Sequence, residues 1–297
     1  MDYSKEEIKK IKEILVELLS FFDSFCSKNG LKYYAAYGTC LGAIRHKGFI
    51  PWDDDIDVVM PRKDYEKFLS YKSLLKDSGY EICSLSDQGY YLSYAKLCET
   101  KTTLVEFKNR PFLLGQFIDI FPIDEADCSE QCRKLFEAKH HWMQKYSRCL
   151  MSGLWDEFIN VDKIQKKIKI MGLLLFGKIL KRFFLNRFLA TEEMIKHQKG
   201  DCVMSYIGAY GFDKELHNKE WFGEGTRVPF ENGSIVVPSD YSAYLTKLYG
   251  NYMTPPPVER QVAHHYHYFY DLEKRWKLED VMKLDLEDPK KIDFKYE

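Results

Sequence analysis

The stretch Tyr37 to Met60, YGTCLGAIRHKGFIPWDDDIDVVM, decides how this chain is read. It opens on the pair Gly38-Thr39, after an apolar and aromatic run, and closes on a strand-like segment with carboxylates at alternate positions. Side chains alternate faces along a strand, so Asp55 and Asp57 are expected on one face and Ile56 and Val58 on the other. No basic residue sits beside the pair in sequence. Two like charges about 4 Å apart at an effective dielectric near 20 cost roughly 4 kcal/mol. A divalent cation is the usual remedy, and hard oxygen ligands favour magnesium. The competing reading is a solvated acidic turn after Pro51, but an Asp run that continues directly into IDVVM is not turn-like.

The 297 residues suffice for one large domain or two ordinary ones. A composition 45% hydrophobic and 30% charged can bury a core, and a formal net charge of -1 excludes a nucleic-acid binder that works by overall charge. The N-terminal run MDYSKEEIKKIKEILVELL is charged and periodic rather than signal-like. No run of about 18 apolar residues announces a transmembrane helix. Eight scattered cysteines without a framework fit reduced thiols, and a cytoplasmic protein is expected.

Residues 4–28 read as an amphipathic helix, with Ser4 and Glu7 as a capping box and Asn29-Gly30 as its stop. A strand is expected over Leu31–Tyr37, then a turn at Gly38-Thr39 into a short helix through Arg45, and a strand over Asp55–Met60. Pro61 should open a helix to about Leu75. Strands are expected near 80–85, 90–97 and 102–107, and over Gln116–Phe121 (QFIDIF), closed by Pro122. Asp119 lies between Ile118 and Ile120, and a carboxylate within an apolar strand needs a cation or a strong donor. Glu231-Asn232-Gly233 signals a hairpin, and Ser239 is expected to cap a helix through Tyr249. The organisation expected is an N-terminal helix over 1–30, a catalytic core over 31–127, a helical segment over 128–200, and a C-terminal part of the same domain over 201–297.

Residues 161–190 stand out. Lys163, Lys166, Lys167, Lys169, Lys178, Lys181, Arg182 and Arg187 face only Asp162, giving eight minus one, or +7. Basic flanks around an apolar middle suit an interfacial helix on an anionic membrane, and equally a basic-faced helix packed on the core.

With Asp55, Asp57 and Asp119 on neighbouring strands, three carboxylates converge, enough for two magnesium ions about 3.5–4 Å apart. Gly38-Thr39 would offer N–H groups, and the Thr hydroxyl, to phosphate at a helix start. Gly42 would allow close backbone approach, and Arg45 and Lys96 are candidate phosphate partners. The order Gly-Thr, Asp-x-Asp, later strand Asp resembles the nucleotidyltransferase fold of the polymerase-β type, an α+β core of mixed sheet and flanking helices. The longer strings GTCLGAIRHKGFIPWDDDIDVVMPRKDYEKF, YAKLCETKTTLVE, FIDIFPID and VPSDYSAYLTKLYGNYMTPPP resemble the LicD family, discontinuously from about residue 27 to 268.

That resemblance implies transfer of a substituted phosphate from a CDP-linked donor to a glycan hydroxyl, releasing CMP. In bacteria the transfer usually named is phosphocholine from CDP-choline to teichoic acid or lipopolysaccharide sugars, and in the fukutin group it is ribitol phosphate. It places Asp55, Asp57 and Asp119 on the metal and catalytic carboxylates, with Mg2+ (or Mn2+) as cofactor. Gly38 and Thr39 fall on the phosphate-binding turn, and Asp53 on an acidic position just before the pair; Asp54 takes no role. A choline donor group would suit an aromatic cage, for which Trp52 and Tyr37 adjoin the site in sequence. The acceptor would be a glycan or its lipid-linked precursor, reached from the inner membrane face. Two other readings stay open: a nucleotidyltransferase using an NTP, and a non-catalytic scaffold at a membrane surface. Cys128 and Cys132 with His140 and His141 lack a usual zinc spacing. His264, His265 and His267 read as packed or polar-face residues, although His264 or Arg260 could reach the active-site mouth. Cys40 has no base partner for nucleophilic work.

Overall fold

A computed structural model describes residues 4–75, 78–161, 163–261, 267–284 and 286. His264 and His265 lie outside them. Helix α1 (Lys5–Asn29) carries the expected box: Ser4 Oγ accepts from the Glu7 N–H, and Glu7 Oε2 accepts from the Ser4 N–H. Gly30 ends it at φ 60, a conformation that costs glycine nothing. Then come β1 (Tyr34–Ala35), α2 (Tyr37–His46), β2 (Asp57–Pro61), α3 (Arg62–Ser70) and α4 (Lys72–Leu75). After these run β3 (Tyr80–Cys83), β4 (Ala95–Glu99), β5 (Thr103–Val105) and β6 (Phe117–Ala126). The middle is helical: α5 (Glu130–Cys149), α6 (Leu154–Asn160) and α7 (Ile164–Lys196). The chain closes with β7 (Cys202–Met204), α8 (Phe212–Glu215), β8 (His217–Asn218), β9 (Thr226–Phe230), β10 (Gly233–Val237), α9 (Tyr241–Tyr249), β11 (Phe269–Asp271) and α10 (Leu278–Lys283).

The main sheet has the order β1-β2-β6-β4-β3, with β7 and then β8 continuing from β6. It is mixed: β2 runs parallel to β6, while β1 on β2, β4 on β6, β3 on β4 and β7 on β6 are antiparallel. One face presents Val58, Met60, Leu97, Ile118 and Ile120, all fully buried, and joins one core with Ile11, Leu15, Leu18 and Phe22 of α1. That core also takes in Ile235 and Val237 of β10 and Tyr244, Leu245 and Leu248 of α9.

Several boundaries differ from the sequence reading. The first strand is two residues long rather than Leu31–Tyr37, because the chain enters helix α2 at Tyr37. Tyr90–Tyr94 is not strand; Tyr90 is buried and its hydroxyl donates to the Tyr94 carbonyl. The helix after Pro61 breaks at Tyr71, where a new turn begins on the Tyr71 carbonyl. Asp240, not Ser239, caps α9; the Ser239 hydroxyl instead binds the Phe222 carbonyl and the Gly225 N–H.

Pro122 does not end its strand. The Asp119 N–H bonds the carbonyl of Ile56, just before β2, so alternation turns position 122 toward the other neighbour. There β4 stops opposite Ile120 and β7 begins opposite Asp124. The N–H that proline lacks falls in that gap.

The helical middle is fixed to the sheet by buried charge. Arg62 grips both Asp124 oxygens at 2.7 and 2.6 Å and reaches Glu192 of α7 at 2.9 Å; Lys139 of α5, fully buried, reaches Glu192 at 3.4 Å. Removing one partner of such a network strands the others. Arg62→Ala is expected to lower the unfolding free energy by about 3–5 kcal/mol in chemical denaturation.

Candidate active site

Strand register, rather than sequence spacing, assembles the site. In the parallel pair Asp57 stands opposite Asp119, and in the next, antiparallel pair Asp119 stands opposite Lys96. Carboxylate, carboxylate and ammonium thus form one row across β2, β6 and β4. Lys96 Nζ lies 2.7 Å from Asp119 Oδ1 and 3.5 Å from Glu106, and 3.3 Å from the centroid of the Phe117 ring. Glu106 also accepts from the Tyr91 hydroxyl. Burial disfavours charge on Lys96, but Asp119 and Glu106 overcome it and raise its pKa, so it stays an ammonium at neutral pH.

The Asp run is not strand throughout. Strand β2 begins at Asp57, so Asp53 and Asp55 do not share a pleat with it. Oxygens of Asp53, Asp54 and Asp55 instead gather within 4.8 Å of one another, which brings in Asp54, a residue without a role in the sequence reading. A basic residue does stand near: Lys12 of α1 donates to the Ile50 and Pro51 carbonyls and feels the charges of Asp53 and Asp54, though burial lowers its pKa.

Gly38 and Thr39 are not a turn but the first turn of α2, which has no side-chain cap. A Cβ on Gly38 would lie 2.7 Å from Asp53 Oδ2, so glycine lets that carboxylate reach the helix start. Thr39 Oγ1 accepts from the Asp57 N–H at 2.8 Å and ties the helix to the first residue of β2. Gly42 makes room for the protein's own backbone: a Cβ there would meet the Gly48 carbonyl oxygen at 2.5 Å. Arg45, near the opposite end of α2, donates to the Tyr252 carbonyl at 2.8 Å and is half-buried. The structure therefore brings Asp57, Asp119 and Lys96 into one row and Gly38, Thr39, Asp53 and Asp55 beside it, and leaves Gly42 and Arg45 on packing contacts.

Aromatic rings border the row. Phe121 is two residues beyond Asp119 and Tyr94 two before Lys96, so both follow the same sheet face; their centroids are 4.2 Å apart. Tyr37 meets Phe121 edge-on at 5.7 Å and stacks on Tyr210 at 5.6 Å, and Tyr210 meets Tyr249 at an interplanar angle of 89°. Trp52 has its ring near His46 instead, at 6.5 Å.

Tyr37 has φ 45, the left-handed region that side chains rarely enter, and it is held there from three directions. Its N–H donates to the Tyr244 hydroxyl at 3.1 Å, its hydroxyl donates to Glu215 Oε2 at 3.0 Å, and its ring lies on Tyr210. Glu215 is buried beside Gly208, where any Cβ would collide with its carboxylate. Glu106 ends the quoted motif YAKLCETKTTLVE, so its place could have been suspected; Lys12 and Glu215 carried no local signal.

Comparison with known proteins gives the class. Residues 30–156 match the family described as LicD/FKTN/FKRP, nucleotidyltransferase domain. The chain belongs to the LicD family and is an enzyme of the LicD phosphotransferase type. Among its relatives, the lipopolysaccharide cholinephosphotransferase LicD of Haemophilus influenzae is 30% identical over 261 residues, 85% of this chain and 93% of that protein. An uncharacterised protein of Rickettsia typhi is 38% identical over 68 residues, 23% of this chain and 22% of its own length.

Burial pushes the Glu215 carboxyl up to about 7. A raised carboxyl pKa means that the folded state holds the proton longer than the unfolded one. Stability from this group is complete below about pH 4.5 and is lost as pH rises toward 7, by about 3 kcal/mol in all. Glu215→Gln removes the titration, so denaturation at pH 5 and pH 8 should show the variant gaining on the wild type at the higher pH.

Proposed function

We propose that this enzyme transfers phosphocholine, or a related alcohol phosphate, from a CDP-linked donor to a hydroxyl of a surface glycan such as lipopolysaccharide, releasing CMP. The observation that carries the reading is the row Asp57–Asp119–Lys96, bordered by aromatic rings, in a chain that matches a lipopolysaccharide cholinephosphotransferase over nearly its whole length. The core is read as a nucleotidyltransferase of the polymerase-β type put to a different use, in which the nucleotide leaves instead of being transferred.

Asp55, Asp57 and Asp119 would hold the hard cation that carboxylate oxygens suit, with Asp57 and Asp119 opposite each other across β2 and β6. Asp119 Oδ1 accepts from Lys96 Nζ, and a carboxylate has further lone pairs to offer a cation or a proton. Magnesium, with manganese as substitute, would supply charge neutralisation on the pyrophosphate. The first-turn N–H groups of α2 at Gly38 and Thr39 bind phosphate oxygens. The acceptor oxygen attacks the phosphorus that bears choline, the bond to the CMP oxygen breaks with its electron pair going to CMP, and Asp119 orients the hydroxyl and takes its proton. Lys96, a fixed positive charge, stabilises the transferring phosphoryl group. Tyr94, Phe121, Tyr37, Tyr210 and Tyr249 form the wall against which a quaternary ammonium sits. The acceptor in this reading is a surface glycan or its lipid-linked precursor, met by a cytoplasmic enzyme at the inner face of the membrane.

Thermal shift with magnesium and CDP-choline, CDP-ribitol, CDP-glycerol or each of the four NTPs tests the reading. A donor at a hundred times its dissociation constant should stabilise by about 2.7 kcal/mol. CDP-choline should do so only with magnesium and not in Asp57→Asn; stabilisation by an NTP and by no CDP-alcohol would replace the reading with nucleotidyl transfer. In steady-state assays Tyr249→Leu should raise KM for CDP-choline roughly tenfold, as loss of a cation–π contact does, and leave a CDP-glycerol reaction unaffected.

A further inference from the structure

The sequence left two readings for residues 161–190, and α7 satisfies a part of each. Its inner side packs: Ile170, Phe188, Thr191 and Ile195 are buried, and Phe184 and Leu185 lie against Met143 and Tyr146 of α5. Its outer side is apolar and open. Ile164, Ile168, Leu175, Ile179 and Phe183 are exposed, with Ile168 and Leu175 at 68% and Ile179 at 70%. At 3.6 residues per turn these five fall within an arc of about 100°. Trp155 and Ile159 of α6 add exposed apolar surface at 58% and 59%.

The borders of the stripe are basic. On the same helical wheel Lys167 and Lys178 flank one side, Lys169 and Arg187 the other, and Arg182 sits at the edge. No carboxylate occurs between Lys163 and Ala190. Among the described residues no helix is long and apolar enough to cross a membrane. An apolar stripe between two basic margins, on a helix about 50 Å long lying along the surface, matches the interface of an anionic bilayer, where apolar side chains enter the acyl boundary and ammonium groups meet phosphates. A second copy of the chain fits poorly, because pairing this face with itself would set its basic margins against each other.

We propose that the outer face of α7 is a docking surface for an anionic membrane, seated through Ile168, Leu175, Ile179 and Phe183 and steered by Lys167, Lys169, Lys178 and Arg182. The surface stands independently of which donor the active site takes.

The test is co-sedimentation of the full chain with vesicles of phosphatidylcholine alone or mixed with phosphatidylglycerol. Binding should be at least about tenfold stronger to the anionic vesicles and should weaken as salt is raised. Ile179→Glu with Phe183→Glu should abolish it, while Lys178→Gln with Arg182→Gln should reduce the dependence on anionic lipid and salt. These side chains are exposed, so the thermal midpoint of both variants should match the wild type. Equal binding to both vesicles, or none, overturns the proposal. So does a concentration-dependent dimer in light scattering that the double Glu variant converts to monomer.

Discussion

Strand β6 carries two buried carboxylates five residues apart, and the structure depends on each having its own cation. Odd and even positions of a strand face opposite ways, so Asp119 and Asp124 emerge on opposite sides of the sheet. Asp119 meets Lys96 from the neighbouring strand, and Asp124 meets Arg62 from the helix after β2. A buried carboxylate without a partner costs several kcal/mol, so these pairings fix which strand lies beside β6 and how α3 leaves the sheet. The same strand carries the candidate site on one side and holds the helical middle on the other.

The start of α2 shows how remote parts of the chain shape the site. Tyr37 keeps a backbone conformation that it would not choose alone because Tyr244 of α9, Glu215 of α8 and Tyr210 all hold it. The turn between β9 and β10 acts similarly on the far end of α2, where Glu231 accepts from the Phe49 N–H and donates its own N–H to the Lys47 carbonyl. Segments from the last hundred residues are thus built into the geometry of the helix that opens the candidate site.

What was legible in the sequence was mostly local. The capping box at Ser4 and Glu7, the glycine stop at Gly30, the hairpin at Glu231–Asn232 and the helical middle are interactions over a few residues, and each is present. Asp57, Asp119 and Lys96 were named from their residue types in apolar strands, and register brings them together. The strand start at Asp57 was missed because alternation in sequence continues through Asp55 where pairing does not. Pro122 reads as a stop in sequence because its missing donor is costly inside a ladder, and only the partners on both sides of β6 reveal a gap there. Lys12, Glu215 and the tie of Arg45 to Tyr252 are contacts between distant segments, which no spacing encodes.

The gap at Pro122 divides labour along one strand. Before it, β6 is stitched to β4; after it, to β7; and β2 runs past both halves. The two stretches of ladder share no rung on that side, so the stretch that lines up Asp119 does not depend on the stretch from which the helices α5 and α7 hang. A change in the length or facing of those helices is therefore expected to leave the carboxylate row in register. Proline at this position works like a perforation between the ladder that lines up the candidate site and the ladder that carries the helices.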